Sequence, residues 1–207
     1  MAKLKFYYGA MNCGKSTLLL QRAYNYEERG MHIATFKPAV DTKGDNKIVS
    51  RIGAERTVDH LLTATDNFYT LVKENYFARQ CLLIDEAQFL QAEQVDQALR
   101  VASSFNIRVE CYGLRTDYLT HSFPGSRRLL ELADELIEME SRCSCGNKAT
   151  LQARFRKQGI GHFEMILEGE GQQVEIDNQE NICYISYCPK CYLEKKEEAI
   201  QKKLSKE

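Results

Sequence analysis

The sequence has no excess of either charge: 28 lysines and arginines stand against 29 aspartates and glutamates, a net charge of −1 over 207 residues. A protein that gripped duplex DNA through its phosphates would be basic, so nucleic acid is not an expected partner, although a nucleotide held in a local pocket is compatible with this balance. No apolar run approaches the roughly 18 residues that a membrane-spanning helix requires, so no membrane is expected either. The opening Met1-Ala2-Lys3-Leu4-Lys5 lacks the apolar stretch and small-residue cleavage site of a secretory signal. The expectation is a cytoplasmic protein.

With 43% hydrophobic and 28% charged residues, the chain can build a packed core. Its length suits one α/β domain with a small appendage. Residues 4–8 read as a strand and Lys15 to Arg29 as a helix with Leu18, Leu19, Leu20, Ala23, Tyr24 and Tyr26 on its apolar side. Gly30 is a natural stop for that helix. Residues 32–36 read as a second strand, Asp41 to Asn46 as a polar loop, and 66–77 as a weaker helix. Cys81-Leu82-Leu83-Ile84 is the continuous apolar run of a strand covered on both faces. A helix over 91–104, a strand over 107–114 and a helix over 126–134 complete an alternation that predicts a RecA-like parallel sheet with helical crossovers. The alternation ends near residue 141. The predicted division is a nucleotide-binding domain over 1–141, a small metal-binding domain over 142–192 and a charged tail over 193–207, which reads from Glu194 as either a charged helix or a frayed end.

Gly9-Ala10-Met11-Asn12-Cys13-Gly14-Lys15-Ser16 matches the phosphate-loop pattern G-x-x-x-x-G-K-[ST] in full, after a strand and at the opening of a helix. Its backbone amides and the helix N-terminus attract phosphate oxygens. Lys15 is expected on the β- and γ-phosphates of ATP, with Ser16 on Mg2+. Asp85 ends an apolar strand, the place for a second magnesium-associated acid. Glu86 leaves the strand in another direction and reads either as a carboxylate facing an acceptor hydroxyl or as a cap for the next helix.

Of eight cysteines, five lie in the last third of the chain. Cys188-x-x-Cys191 has zinc-ligand spacing, and Cys143-x-Cys145 is one residue shorter. Forty-two residues, 146–187, separate the pairs, so a tetrahedral four-thiolate Zn2+ site requires the intervening chain to return as a hairpin. Cys183 is a spare candidate ligand, and reduced buried cysteines are the alternative. Cys13, Cys81 and Cys111 read as packing residues, the four histidines as surface or packing groups, and Arg127-Arg128 as a candidate phosphate clamp with at least one member solvated.

Together these features resemble the type II thymidine kinases. The resemblance spans nearly the whole chain and is carried by Gly9 to Thr17, by Asp85-Glu86-Ala87-Gln88-Phe89, by Tyr112-Gly113-Leu114-Arg115-Thr116-Asp117-Tyr118, by Cys143-Ser144-Cys145-Gly146, and by Tyr184 to Tyr192. It implies transfer of the γ-phosphate of ATP to the 5′-hydroxyl of thymidine, with Glu86 as proton acceptor. It also implies that residues 9–17 with Asp85, Glu86, Ala87 and Gln88 surround the nucleotide. Met11, Phe89, Leu114, Tyr118 and Tyr184 would line the thymidine pocket, and Cys143, Cys145, Cys188 and Cys191 would hold structural zinc. A lasso segment between the zinc pairs would close over the base, dTTP is a candidate feedback ligand, and a homotetramer is the expected assembly. The sequence departs from the family pattern at Ile176-Asp177-Asn178 in the lasso and at Asp41-Thr42-Lys43, where lysine replaces the usual arginine. Competing classes are a nucleic-acid-dependent ATPase, which needs a second lobe, and a zinc-ribbon interaction module, which needs no phosphate loop.

Overall fold

A computed structural model describes residues 1–159, 163–168 and 181–205. The first part follows the order β1 (Leu4–Tyr8), α1 (Lys15–Glu28), β2 (Ile33–Pro38), β3 (Lys47–Val49), β4 (Glu55–Thr57), β5 (His60–Leu62) and α2 (Phe68–Leu71). A π-helical turn, Val72–Tyr76, continues α2. Then come β6 (Cys81–Ile84), a 3-10 turn (Ala87–Phe89), α3 (Ala92–Phe105), β7 (Arg108–Gly113), α4 (Pro124–Leu132) and β8 (Glu135–Glu138). The second part comprises β9 (Ser141–Arg142), β10 (Lys148–Ala149), β11 (Leu151–Lys157), β12 (Phe163–Met165), β13 (Ile182–Tyr187) and α5 (Pro189–Leu204).

The central sheet has the order β5-β2-β6-β7-β1-β8, and each pairing is parallel. This is the predicted parallel-sheet architecture. Strand side chains alternate between two cores, as a period of two requires. Phe6, Leu82, Ile84, Val109 and Cys111 pack with α2, α3 and α4 on one face. Tyr7, Cys81, Leu83 and Tyr112 pack with Leu19 and Ala23 of α1 on the other. In α3, Val95, Ala98, Val101 and Ala102 form the buried stripe, and Gln91 with Gln94 makes a reciprocal cap at its N-terminus.

Four features differ from the sequence reading. Strand β8 follows α4 directly and extends the sheet beside β1; its four residues alternate in burial over too short a span to signal a strand. The segment 47–62 forms an antiparallel hairpin, β3–β4, and the edge strand β5. Tyr24 is 64% exposed, so it does not belong to the apolar side of α1. Of the two readings of the residues from Glu194, charged helix or frayed tail, the helix is found, but it starts earlier: α5 begins at Pro189 and runs unbroken to Leu204. Proline suits the first turn of a helix, and pairs such as Lys195–Glu198 at 2.8 Å solvate the rest.

The helix that follows the phosphate loop is fastened to the sheet by charge. Glu110 of β7 is fully buried, and Arg22 of α1 grips it bidentately, Nε to Oε2 at 2.8 Å and Nη2 to Oε1 at 2.7 Å. The hydroxyls of Tyr112 and Tyr26 complete the carboxylate at 2.9 and 3.0 Å. The Arg22 guanidinium also lies 5.2 Å from the centre of the Tyr7 ring. Burial and the Glu110 charge push the Tyr7 phenol up to about 12. Arg22→Met would leave a buried carboxylate with neutral donors alone, and we expect it to cost about 3 kcal/mol of stability. Urea unfolding checks this: a midpoint indistinguishable from that of the parent chain would show that the two tyrosines suffice.

Candidate active site

The phosphate loop sits at the carboxyl end of β1, where the sheet opens. Gly9 has no room for a side chain, since a Cβ would lie 2.5 Å from the Met139 carbonyl oxygen and 2.6 Å from Cys13 Sγ. Gly14 turns the chain into α1 with φ of 84°, a left-handed conformation natural to glycine. Lys15 Nζ donates to the Ala10 carbonyl at 2.8 Å and the Gly9 carbonyl at 3.4 Å, at the mouth of the loop. Met11, Asn12, Gly14, Lys15, Ser16 and Thr17 line a cavity of about 210 Å³ together with Glu86 and Leu114.

Two acids stand at the end of β6. Asp85 is 4% exposed and accepts a hydrogen bond from the Ser16 side chain. Burial, then the charge of the adjacent Glu86, pushes its carboxyl up to about 7. A cation beside Asp85 would relieve that penalty, so the Ser16–Asp85 pair fits a magnesium site. Glu86 has φ of 47°, in the left-handed region, and this turns its side chain away from Asp85's course and into the cavity. Its side chain caps nothing in the 3-10 turn that follows. The capping alternative for Glu86 therefore has no bond to rest on. Burial and the Asp41 charge raise its carboxyl above the usual range.

Ala87 and Gln88 do not face the cavity. Ala87 is buried in the core, and Gln88 spends both ends of its amide within the protein. Its Nε2 donates to Glu86 Oε2 at 2.6 Å, and its Oε1 accepts from the Leu114 amide at 3.0 Å. Gln88 thus orients one carboxylate oxygen of Glu86 and leaves the other for the cavity.

Sequence reading did not find the remaining wall. Val49, Ser50, Arg51 and Ile52, from the end and tip of the β3–β4 hairpin, line the cavity with Lys43. The signal was a short Ser-Arg-Ile-Gly turn between weak strands. Lys43 is placed by a buried lysine: Lys37 is 1% exposed, pairs with Asp41 at 2.9 Å, and donates to the carbonyls of Lys43, Asp45 and Lys47. The candidate clamp at Arg127-Arg128 is not at the site, since Arg128 pairs with Asp96 and Glu131 and Arg127 is 75% exposed at its side chain.

Tyr118 and Tyr184 meet edge to face with ring centres 6.4 Å apart, and Phe89 meets Phe123 in the same manner at 5.6 Å. Leu114 contacts the cavity directly. Ile176-Asp177-Asn178 lies outside the described residues, as does His162.

The four cysteines Cys143, Cys145, Cys188 and Cys191 converge, with their sulfurs all within 4.8 Å of one another. Tetrahedral Zn–S bonds of about 2.3 Å would set ligand sulfurs about 3.8 Å apart. Cys145 Sγ and Cys188 Sγ are 3.6 Å apart. The backbone N–H groups of Cys145 and Cys188 draw the Cys143 thiol down to about 6, and the thiols of Cys145 and Cys188 push Cys191 up to about 12. Four crowded thiols of which one readily ionises fit a divalent cation, so the residues suit zinc. Cys183 packs in the small core of this unit and stands outside the cluster.

A family model for "Thymidine kinase" matches residues 2–192. The "Thymidine kinase" of Legionella pneumophila (strain Lens) is 47% identical over 192 residues, covering 91% of this chain and 88% of that protein. The "Thymidine kinase" of Aliivibrio fischeri is 44% identical over 197 residues, covering 94% of this chain and 98% of the relative. Among solved structures, the Pif1 helicase of Candida albicans aligns at a TM-score of 0.39 and 14% identity, over 67% of this chain and 36% of that one, too distant a likeness to bear on function. The match over nearly the whole length, with a phosphate loop, two strand-end acids and a four-cysteine cluster in place, assigns this kinase to the thymidine kinase family.

Proposed function

We propose that the protein transfers the γ-phosphoryl group of ATP to the 5′-hydroxyl of thymidine, with Glu86 as the proton acceptor. The observation that carries this reading is the turned backbone at Glu86, which sends one carboxylate into the cavity while its neighbour Asp85 bonds Ser16. The O5′–Pγ bond forms as the bond from Pγ to the β-phosphate oxygen breaks, and the hydroxyl proton passes to Glu86. The phosphate-loop amides, Lys15, Lys43 and Arg51 supply positive potential where the phosphates lie. Ser16 and Asp85 would hold Mg2+, which neutralises phosphate charge when bound.

Met11, Phe89, Leu114, Tyr118 and Tyr184 form the thymidine side in this reading, and Gln88 acts on Glu86 rather than on the nucleotide. The chain divides into a phosphate-loop unit through residue 141 and a zinc unit from 142, with α5 included in the latter. Zinc would be structural, since four thiolates leave no open position for chemistry. Among the described residues no helix is long and apolar enough to cross a membrane. A cytoplasmic location, a homotetramer and feedback by dTTP belong to the proposal on family resemblance.

Glu86→Gln keeps the shape and the Gln88 contact but cannot take the proton. We expect turnover with thymidine to fall about 100-fold or more while ATP binding stays near the parent value. Steady-state kinetics beside nucleotide titration checks this, and near-normal turnover would sink the assignment. Cys188→Ser removes a proposed ligand at the start of α5. It should lower zinc below one per chain by elemental analysis, loosen the C-terminal unit, and raise the thymidine KM more than the ATP KM. Zinc-free parent protein in which Cys143, Cys145, Cys188 and Cys191 all react in the native state would refute the metal site.

A further inference from the structure

The β11–β13 sheet turns one face toward the phosphate-loop unit. In the antiparallel register Gln152 pairs with Ser186 and Arg154 with Tyr184, so these four side chains share that face. The opposite face, with Phe155 and Tyr187, packs in the small core with Tyr192 of α5. Each inward residue reaches a different point. Gln152 Nε2 donates to the Thr116 carbonyl. The Arg154 guanidinium lies 5.3 Å from the centre of the Tyr118 ring and 5.9 Å from that of Tyr184. Ser186 reaches the phosphate loop itself, its Oγ donating to the Met11 carbonyl at 2.7 Å.

We propose that Ser186 is a positioning residue for phosphoryl transfer: by holding the Met11 carbonyl it fixes the phosphate loop against the strand that carries Tyr184, and so sets the separation of donor phosphate and acceptor hydroxyl. The inference rests on the thymidine reading above. In that reading the two substrates are held by different units, ATP by residues 9–17 and the base partly by Tyr184. In-line transfer needs the reacting atoms within about 3–3.5 Å, so the alignment must be carried by bonds that cross between the units. Met11 is the phosphate-loop residue that Ser186 bonds, and its side of the loop lines the cavity. Ser186 stands outside that lining and acts through the Met11 backbone. Tyr184 and Ser186 are two residues apart on one strand face, so the hydroxyl pins the loop to a point one pleat from the proposed thymine contact.

The test compares Ser186→Ala and Ser186→Thr in the full chain carrying its zinc. We expect Ala to lower kcat about five-fold, the scale of one hydrogen bond, with the KM of ATP and of thymidine each within about two-fold of the parent. Thr keeps the hydroxyl and should restore most of the loss. In the Ala variant more ADP should appear per thymidine phosphorylated, because a misaligned γ-phosphoryl group leaving the β-oxygen is captured by water instead of the 5′-oxygen. Hydrogen exchange of the peptide spanning the phosphate loop, measured without substrates, should be faster in Ala than in the parent or Thr. Unchanged kcat with unchanged exchange would overturn the proposal. So would a loss of kcat that comes with loss of zinc and that Thr does not repair, since that pattern marks a structural role. If the parent chain fails to phosphorylate thymidine, the functional reading falls, while the exchange comparison still decides whether Ser186 holds the loop.

Discussion

A carboxylate without solvent, gripped by an arginine from the helix above it, decides where the phosphate loop can sit. Glu110 lies on the central strand β7, and Arg22 lies two turns into the helix that the loop opens. Helix α1 could slide or rotate on an apolar sheet face at modest cost, because dispersion and burial are non-directional. A bidentate pair with both oxygens also bonded to tyrosines admits only one position. The amides at the start of α1, the reach of Lys15 and the approach of Ser16 to Asp85 all inherit their geometry from that position. The same rigid body presents Gly9 within contact of the Met139 carbonyl, which leaves the loop no slack.

Buried polar brackets recur wherever a flexible group must be aimed at the cavity. Gln88 holds Glu86 and is itself held by the Leu114 amide, so the carboxylate's direction is tied to the end of β7. Lys37 collects one carboxylate and three carbonyls, folding the 41–47 loop around its own ammonium and delivering Lys43 to the phosphate side. Satisfied networks of this kind specify a conformation even where their net contribution to stability is small. They also leave the polar ends of Lys37 and Gln88, both buried, engaged within the protein.

Short-range patterns in the sequence made the catalytic half of the protein legible. Gly9 to Ser16 announce a backbone nest, the Cys81–Ile84 run announces a central parallel strand, and Asp85-Glu86 at its end announces acids at the open edge of the sheet. The cysteine pairs were legible for the same reason, since thiolate spacing is set locally. What escaped depends on tertiary context. The β3–β4 hairpin has three-residue strands with one buried side chain between them, Ile48, and gains its place by packing on α1. Strand β8 acquires its identity from the free edge of β1. Helix α5 reads as a solvated run of Lys and Glu, and its start is fixed by the cysteine cluster and Pro189 rather than by an apolar stripe. Gln88 carried the family motif but not its own explanation, because its partner on the far side, the Leu114 amide, lies 26 residues away in sequence.

Position 86 concentrates two costs in one residue. A left-handed backbone at a non-glycine residue stores strain on the order of 1 kcal/mol or more. A carboxylate brought near Asp85 and Asp41 in a desolvated place adds repulsion to it. Glycine would relieve the first cost and glutamine the second, so a search for a more stable chain would settle on either. Both erase the group proposed to take the proton. The folded state is therefore held away from its own optimum at position 86, and a survey of stabilising substitutions would mark the proposed proton acceptor as a site where backbone strain and charge repulsion coincide.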